Sequence, residues 1–218
     1  MINDALGANV LSVKIISNVD AGMAKALNLD PTKHRSLGLV TGDCDDVTYV
    51  ALDEATKKAV VDVVYARSLY AGAGSASTKL AGEVIGIIAG PNPAEVKSGL
   101  DVIVYEIENS PGFISANEDD SIPYYAHLVS RTGTHLSKEA GIKEGESLAY
   151  LIAPPIEAMY ALDAAIKAAD VEVAAFYGPP SETNFAGGLL TGSQSACQAA
   201  CDAFAQAVQS VAANPKSY

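Results

Sequence analysis

Carboxylates are the side chains of this sequence best placed to do chemistry. Asp43, Asp45 and Asp46 crowd around Cys44, while Glu83 and Glu157 stand beside apolar runs. Read alone, three aspartates between apolar segments make a solvated turn or a helix-capping cluster. Glu157 alone reads as an acidic residue in a first helical turn, where the helix dipole favours it. The whole chain leans the same way. Lys+Arg number 14 against 26 Asp+Glu, a net charge of −12. That balance favours cationic partners and argues against nucleic acid, which demands clustered Lys and Arg.

The other reactive side chains are less promising. Cys44, Cys197 and Cys201 are odd in number and form no C-x-x-C pair, which fits a reducing cytosol. Cys197 and Cys201 are spaced to hold a metal from one helix face, but no third ligand lies near them in sequence, so core packing is the reading for both. Cys44 has no His or Asn nearby to make it a nucleophile. His34, His127 and His135 are scattered, and a metal would need them gathered with carboxylates. No metal site is expected. No G-x-S-x-G, H-E-x-x-H or P-loop occurs, and Gly90-Pro91-Asn92-Pro93-Ala94-Glu95 is a capping turn rather than a phosphate cradle.

The elements that position these groups must be built from small residues. At 218 residues the chain makes one large domain or two small ones. Charged residues are 18%, below the roughly 25% of ordinary soluble domains. Hydrophobic residues reach 49%, yet aromatics are 6%, Trp is absent and alanines number 37. Such a chain packs its elements at close range and shows water little charge. Either neighbours cover it on several sides or its genome is rich in alanine. Apolar stretches such as Val84–Ala89 fall far short of the roughly 20 residues of a membrane span. The start, Met1-Ile2-Asn3-Asp4, has an acid where a secretory signal would have a base.

The order of elements repeats. In the first half Ser36–Val40 is a strand, followed by an acidic loop and the run Val47–Ala51. Asp53 then caps a helix running to about Ser68. A glycine-rich stretch leads to the strand Glu83–Ile88. Asn92 caps the next helix, with Pro93 in first position and Glu95 completing a capping box. In the second half Ser147–Ala153 is a strand, Pro155 to about Ala169 a helix and Asp170–Val173 a strand. Leu189–Gly192 then precedes a helix from Gln194 to about Ala212, capped by Ser193. Its stripe of Cys197, Cys201, Phe204, Val208 and Val211 packs on a sheet. Glu54 lies 103 residues before Glu157 and Gly90 lies 102 before Gly192; Val13–Ser17 matches Ala126–Ser130 at an offset of 113, as Lys25 matches Lys138. The halves are a tandem duplication, residues 1–112 and 113–218.

With the repeat in view, the chain resembles the shell-domain family of bacterial microcompartments. Ser147–Ala153 followed by Ile156–Val173 carries the likeness most clearly. Each repeat opens with a strand that would ordinarily come late, so the resemblance is to the tandem, circularly permuted type found in ethanolamine-utilisation shells. Blocks in order along the chain support it: Arg35–Leu39, Asp45–Tyr49, Arg67–Ala73, Gly90–Glu95, Ser130–Gly133 and Pro179–Asn184. The implied fold is α/β, two shell domains, each a small mixed sheet with helices packed on it.

The resemblance also implies a function without catalysis. It points to a homotrimer whose six domains mimic a hexamer and tile a shell with other microcompartment shell proteins, in the bacterial cytoplasm. A central opening would be gated by loops at about 70–79 and 178–185, with Tyr70, Gly72, Gly74, Ser75, Ser181, Glu182, Thr183 and Asn184 at the axis. Small acidic pores would bind or pass ethanolamine. A primary ammonium with a hydroxyl needs carboxylates and further acceptors. Asp45, Glu83 and Glu157 would supply them, helped by Asp43, Asp46 and the backbone near Phe113. No cofactor is required, though cobalamin is a conceivable associate. The alternatives are a soluble oligomeric lyase or hydrolase and a small-amine sensor.

Overall fold

The computed structural model describes residues 1–69, 78, 80–181 and 183–217. They form two compact units, one comprising Gly7–Ser110 with Gly133–Leu136, the other Met1–Leu6, Pro111–Thr132 and Ser137–Tyr218.

In the first unit β1 (Val10–Ile16) leads through the short α1 (Ala21–Ala26) to β2 (Ser36–Gly42). Then come α2 (Asp45–Lys58), β3 (Asp62–Ser68), β4 (Val84–Gly90) and α3 (Pro93–Asn109). The sheet order is β1-β2-β4-β3. Every pairing is antiparallel, so the sheet is not mixed. The crossover through α2 makes β2 and β3 run the same way, but β4 slots between them and is antiparallel to both.

The helix expected from Asp53 to Ser68 lies elsewhere. It starts at Asp45 and ends at Lys58, and Asp62–Ser68 is strand β3. The β-branched and aromatic run Val47–Val50 favours a strand locally, but Val47, Val50, Ala51 and Ala55 recur at helical spacing and are all buried. Asp45 and Asp46 at the start and Lys57 and Lys58 at the end suit the helix dipole. The acidic cluster is therefore the opening turn of a helix.

Asn92 does cap α3, accepting from the Glu95 backbone N–H at 3.0 Å. The reciprocal half of the box is missing, because the Glu95 carboxylate accepts from the Val60 N–H at 2.9 Å instead. Helix α3 lies close on β2 at Gly38, where an added Cβ would stand 2.8 Å from the Val96 side chain.

The second unit repeats the plan. β5 (Ile114–Ser115), β6 (Pro123–Val129), α4 (Thr134–Ala140), β7 (Ser147–Ala153), α5 (Pro155–Ala168), β8 (Val171–Tyr177), β9 (Ala186–Gly192) and α6 (Gln194–Ala213) follow in order. The sheet runs β5-β6-β7-β9-β8, again antiparallel throughout. Met1–Leu6 belongs here: Asn3 N–H donates to the Ser115 carbonyl and Leu6 N–H to that of Phe113, each at 2.8 Å. Ser193 caps α6. Cys197, Cys201, Phe204 and Val208 are buried with Ala158, Ala161, Ala165 and Ala200, so alanine is used for close helix packing.

One offset needs adjusting. Helices α2 and α5 match cap to cap, Cys44 with Pro154 and Ala59 with Ala169, 110 residues apart in both cases. Glu54 therefore corresponds to Ala164, and Glu157 to Val47. Gly90 and Gly192 do end equivalent strands, and Lys25 and Lys138 lie in equivalent helices, α1 and α4. No helix among the described residues is long and apolar enough to cross a membrane.

Candidate functional site

The acidic group is assembled where β2 ends, α2 begins and β4 starts. Asp43, just past β2, is clamped by Asn9: its carboxylate accepts the Asn9 backbone N–H at 2.6 Å and side-chain amide at 2.7 Å. Asp45 is buried in the first turn of α2. One of its oxygens accepts from the Asp46 N–H at 2.9 Å and the other from the Ser68 hydroxyl at 2.6 Å. Ser68 spends its only hydrogen on that carboxylate, so the Tyr49 hydroxyl, 2.6 Å away, donates to Ser68. The Tyr49 ring in turn lies 6.0 Å from that of His135.

Glu83 immediately precedes β4. Its backbone is pinned on both sides, its N–H donating to Gly42 and its carbonyl accepting from Leu69. Its half-buried carboxyl is pushed up to about 7, chiefly by burial and then by the charges of Asp45 and Asp43. Burial also raises Asp45, against the lowering effect of the Ser68 hydrogen bond. Among the described residues no Lys, Arg or His forms an ion pair with Asp43, Asp45 or Glu83. A site with excess negative charge and spare acceptors suits a small cation. It does not suit nucleophilic chemistry at Cys44, whose thiol is pushed well up by burial and by Asp46.

The structure thus gathers Asp43, Asp45 and Glu83, with Asp46 beside Cys44. Glu157 and Phe113 belong to the other compact unit. Glu157 sits in the first turn of α5. Phe113 stacks on Tyr125 at 5.3 Å and meets Phe185 at 5.8 Å. Of the loop residues, Tyr70, Gly72, Gly74, Ser75 and Glu182 lie outside the described residues. Ser181, Thr183 and Asn184 form a turn closed by its own backbone, with Ser181 N–H donating to Phe185 and Asn184 N–H to Ser181. Asn184 takes a positive φ of 66°.

Ser68, Tyr49 and Asn9 hold the site and were not singled out from sequence. Ser68 and Tyr49 reach Asp45 only once α2 and β3 are placed, and Asn9 precedes the first strand. An aromatic group in the second unit was also unforeseen. His127 stacks on Tyr125 at 5.3 Å and 4°, and Tyr150 meets Tyr125 edge-on at 5.7 Å. His34, by contrast, is satisfied by Asp62 at 2.9 Å.

Comparison with known proteins places the chain in a family. The BMC domain family matches residues 36–117. The bacterial microcompartment shell protein EutL of Clostridium perfringens (strain 13 / Type A) is 73% identical over 218 residues, all of both chains. EutL of Salmonella typhimurium (strain LT2) is 52% identical over 212 residues, 97% of this chain and 96% of that one. The crystal structure of ethanolamine utilization protein EutL from Leptotrichia buccalis C-1013-b superposes with a TM-score of 0.98 at 72% identity, covering 100% of both chains. With its tandem α/β repeats and near-identical backbone, the chain belongs to the bacterial microcompartment shell-protein family, a structural rather than an enzymatic family.

Proposed function

We propose that this chain is a shell tile of an ethanolamine-utilisation microcompartment, lying in the cytoplasm and admitting ethanolamine through an acidic pore in each subunit. Three chains would close into a ring of six domains, each chain supplying 1–112 and 113–218, beside other shell proteins. The observation that carries the ligand reading is the set of carboxylates Asp45, Glu83 and Asp43 without a neutralising cation among the described residues. An ammonium would sit among these charges, and Asp46 is a further candidate contact. Holding should be weak, since a permeant must leave again.

A gate is the second part of the reading. Ser68, bonded to Asp45, lies just before the segment 70–79, and Glu83 lies just after it. Anchors of the candidate gate are therefore shared with the ligand site, which would let ligand and loop position be coupled. Ser181, Thr183 and Asn184 are the described members of the other candidate loop. Cobalamin as passenger or ligand rests on the family resemblance alone. Calorimetric titration of ethanolamine into Asp45→Ala tests the site: binding should vanish while the trimer mass is kept. Unchanged binding removes Asp45, and with it this pore.

A further inference from the structure

Four polar residues of the first repeat have no polar counterpart in the second. With α2 and α5 matched 110 residues apart, Asp45 and Tyr49 correspond to Pro155 and Met159. Strands β3 and β8 match at the same spacing, since Val63 pairs with Ile88 as Val173 pairs with Leu190, so Ser68 corresponds to Gly178. Glu83, the residue before β4, corresponds to Phe185, the residue before β9. The second sheet and its helix form without this polar set, so the fold does not require it.

Within the first unit the four residues form one chain of contacts. Asp45 and Tyr49 are four residues apart on α2 and so share a face, one turn apart. Ser68 is the last residue of β3 and pairs with Val84, next to Glu83. From the sheet its hydroxyl reaches both helix residues, donating to the Asp45 carboxylate at 2.6 Å and accepting from the Tyr49 hydroxyl at 2.6 Å. Hydrogen bonds in series polarise one another, so a serine that accepts from a phenol is the better donor. The phenol ring is set in turn by the His135 ring, 6.0 Å away and tilted by 48°. The other titratable groups around Asp45 and Glu83 are Asp43, Cys44 and Asp46. Strand β4 has none, and Arg67 is exposed, on the opposite face of β3 from Ser68. Burial works against the charge on Asp45 that a cation needs, and the Ser68 bond works for it.

We propose that Tyr49 is a positioning residue of the cation site, which through Ser68 holds the Asp45 carboxylate ionised and aimed. This rests on the reading of Asp45 and Glu83 as an ammonium site, and Tyr49 itself touches no ligand. Removing the phenol hydroxyl leaves Ser68 a weaker donor with an unfixed rotor; removing the serine hydroxyl takes the donor away altogether. Either change lets Asp45 keep a proton to higher pH. That proton competes with the ammonium, so the loss of affinity is largest at low pH and shrinks as pH rises.

Calorimetric titration of ethanolamine into the full chain at pH 6 and pH 8 tests this, with far-ultraviolet spectra checking that each variant is folded. At pH 6 Ser68→Ala should bind about tenfold more weakly than the wild type and Tyr49→Phe about threefold, both losses shrinking at pH 8. Ser68→Thr, which keeps the hydroxyl, should recover most of the affinity lost in Ser68→Ala. Carbon-13 NMR titration of the Asp45 carboxyl without ligand should show the same order, its midpoint raised most in Ser68→Ala. If Ser68→Ala unfolds, Tyr49→Phe decides alone. Losses equal at the two pH values, or an Asp45 midpoint that neither variant moves, overturn the relay and leave the ammonium site standing. A wild type that takes up no ethanolamine, or Asp45→Ala that binds as the wild type does, overturns the site reading and the role of Tyr49 in it.

Discussion

Asp45 and Glu83 share one small volume but are held in opposite ways. Asp45 is buried yet has two donors, Ser68 and the Asp46 N–H, which favour its charge. Glu83 has no hydrogen-bond donor among the described residues and feels two neighbouring carboxylates, so it gives way first and titrates near 7. Between about pH 4.5 and 7 the folded chain keeps a proton on Glu83 that the unfolded chain has lost. Stability from this group is thus present at low pH and falls as pH rises through that window. Glu83→Gln, neutral throughout, should gain on the wild type across it and be more stable at pH 8 by about 1 kcal/mol, discounted for half exposure. For a chain of this size that is about 2–4 °C in melting temperature. Melts at pH 5 and pH 8 check it; a gain that is equal at both would clear Glu83 of the effect. The aspartates were legible as a cluster, because they are adjacent in sequence. Their partners Ser68 and Asn9 were not, because 23 and 34 residues separate them from the groups they serve.

Elements were legible where local chemistry agreed with the fold. Ser193, Asn92 and Pro155 mark helix starts by capping and proline geometry that needs no tertiary help. Helix α2 was the exception, since Val47, Thr48, Tyr49 and Val50 prefer strands and only the buried face decides against them. Asp53 shows the same limit. It looked like a helix cap in its own segment, but it caps α4 from mid-helix in α2, bonding to residues 80 and 83 positions away. Its carboxylate is wholly buried, with Lys57 at 3.5 Å. Asp53→Ala leaves two buried N–H groups without an acceptor and should cost about 2–4 kcal/mol. Asp53→Asn, which keeps one acceptor oxygen, should recover about half of that. Urea unfolding of the two variants separates the outcomes, and equal losses would mean that charge rather than acceptor geometry matters.

At the scale of the whole chain the duplication was legible from Gly90 and Gly192 and from Lys25 and Lys138, because small and charged residues mark equivalent ends. What no spacing revealed is that the halves exchange short segments. Gly133–Leu136 serves the unit built from residues 7–110, and Met1–Leu6 serves the one built from 111 onward. Met1–Leu6 is joined by backbone on backbone, and Gly133–Leu136 by backbone N–H groups donating to the Asp53 and Thr56 side chains; the backbone partners leave no signature in side-chain pattern. Gly133 is the one hint, a residue whose missing Cβ leaves room for Thr56 and the Asp53 carbonyl. This exchange has a thermodynamic consequence for division of the chain at residue 112. Fragment 1–112 would expose the Asp53 carboxylate and the Thr56 hydroxyl without Gly133, Thr134 and Leu136. Fragment 113–218 would lose Asn3 and Leu6 as donors to Ser115 and Phe113, together with the bridge from Ala5 to Ile114. Each half keeps its own sheet and helices, so each should fold but melt well below the intact chain. Mixing them should recover part of the loss by mass action. Adding residues 113–140 to the first fragment should raise its melting temperature, and deleting Met1–Leu6 from the full chain should lower that of the second unit. If 1–112 melts with the intact protein, the exchanged segments contribute nothing and the repeats are independent domains in the strict sense.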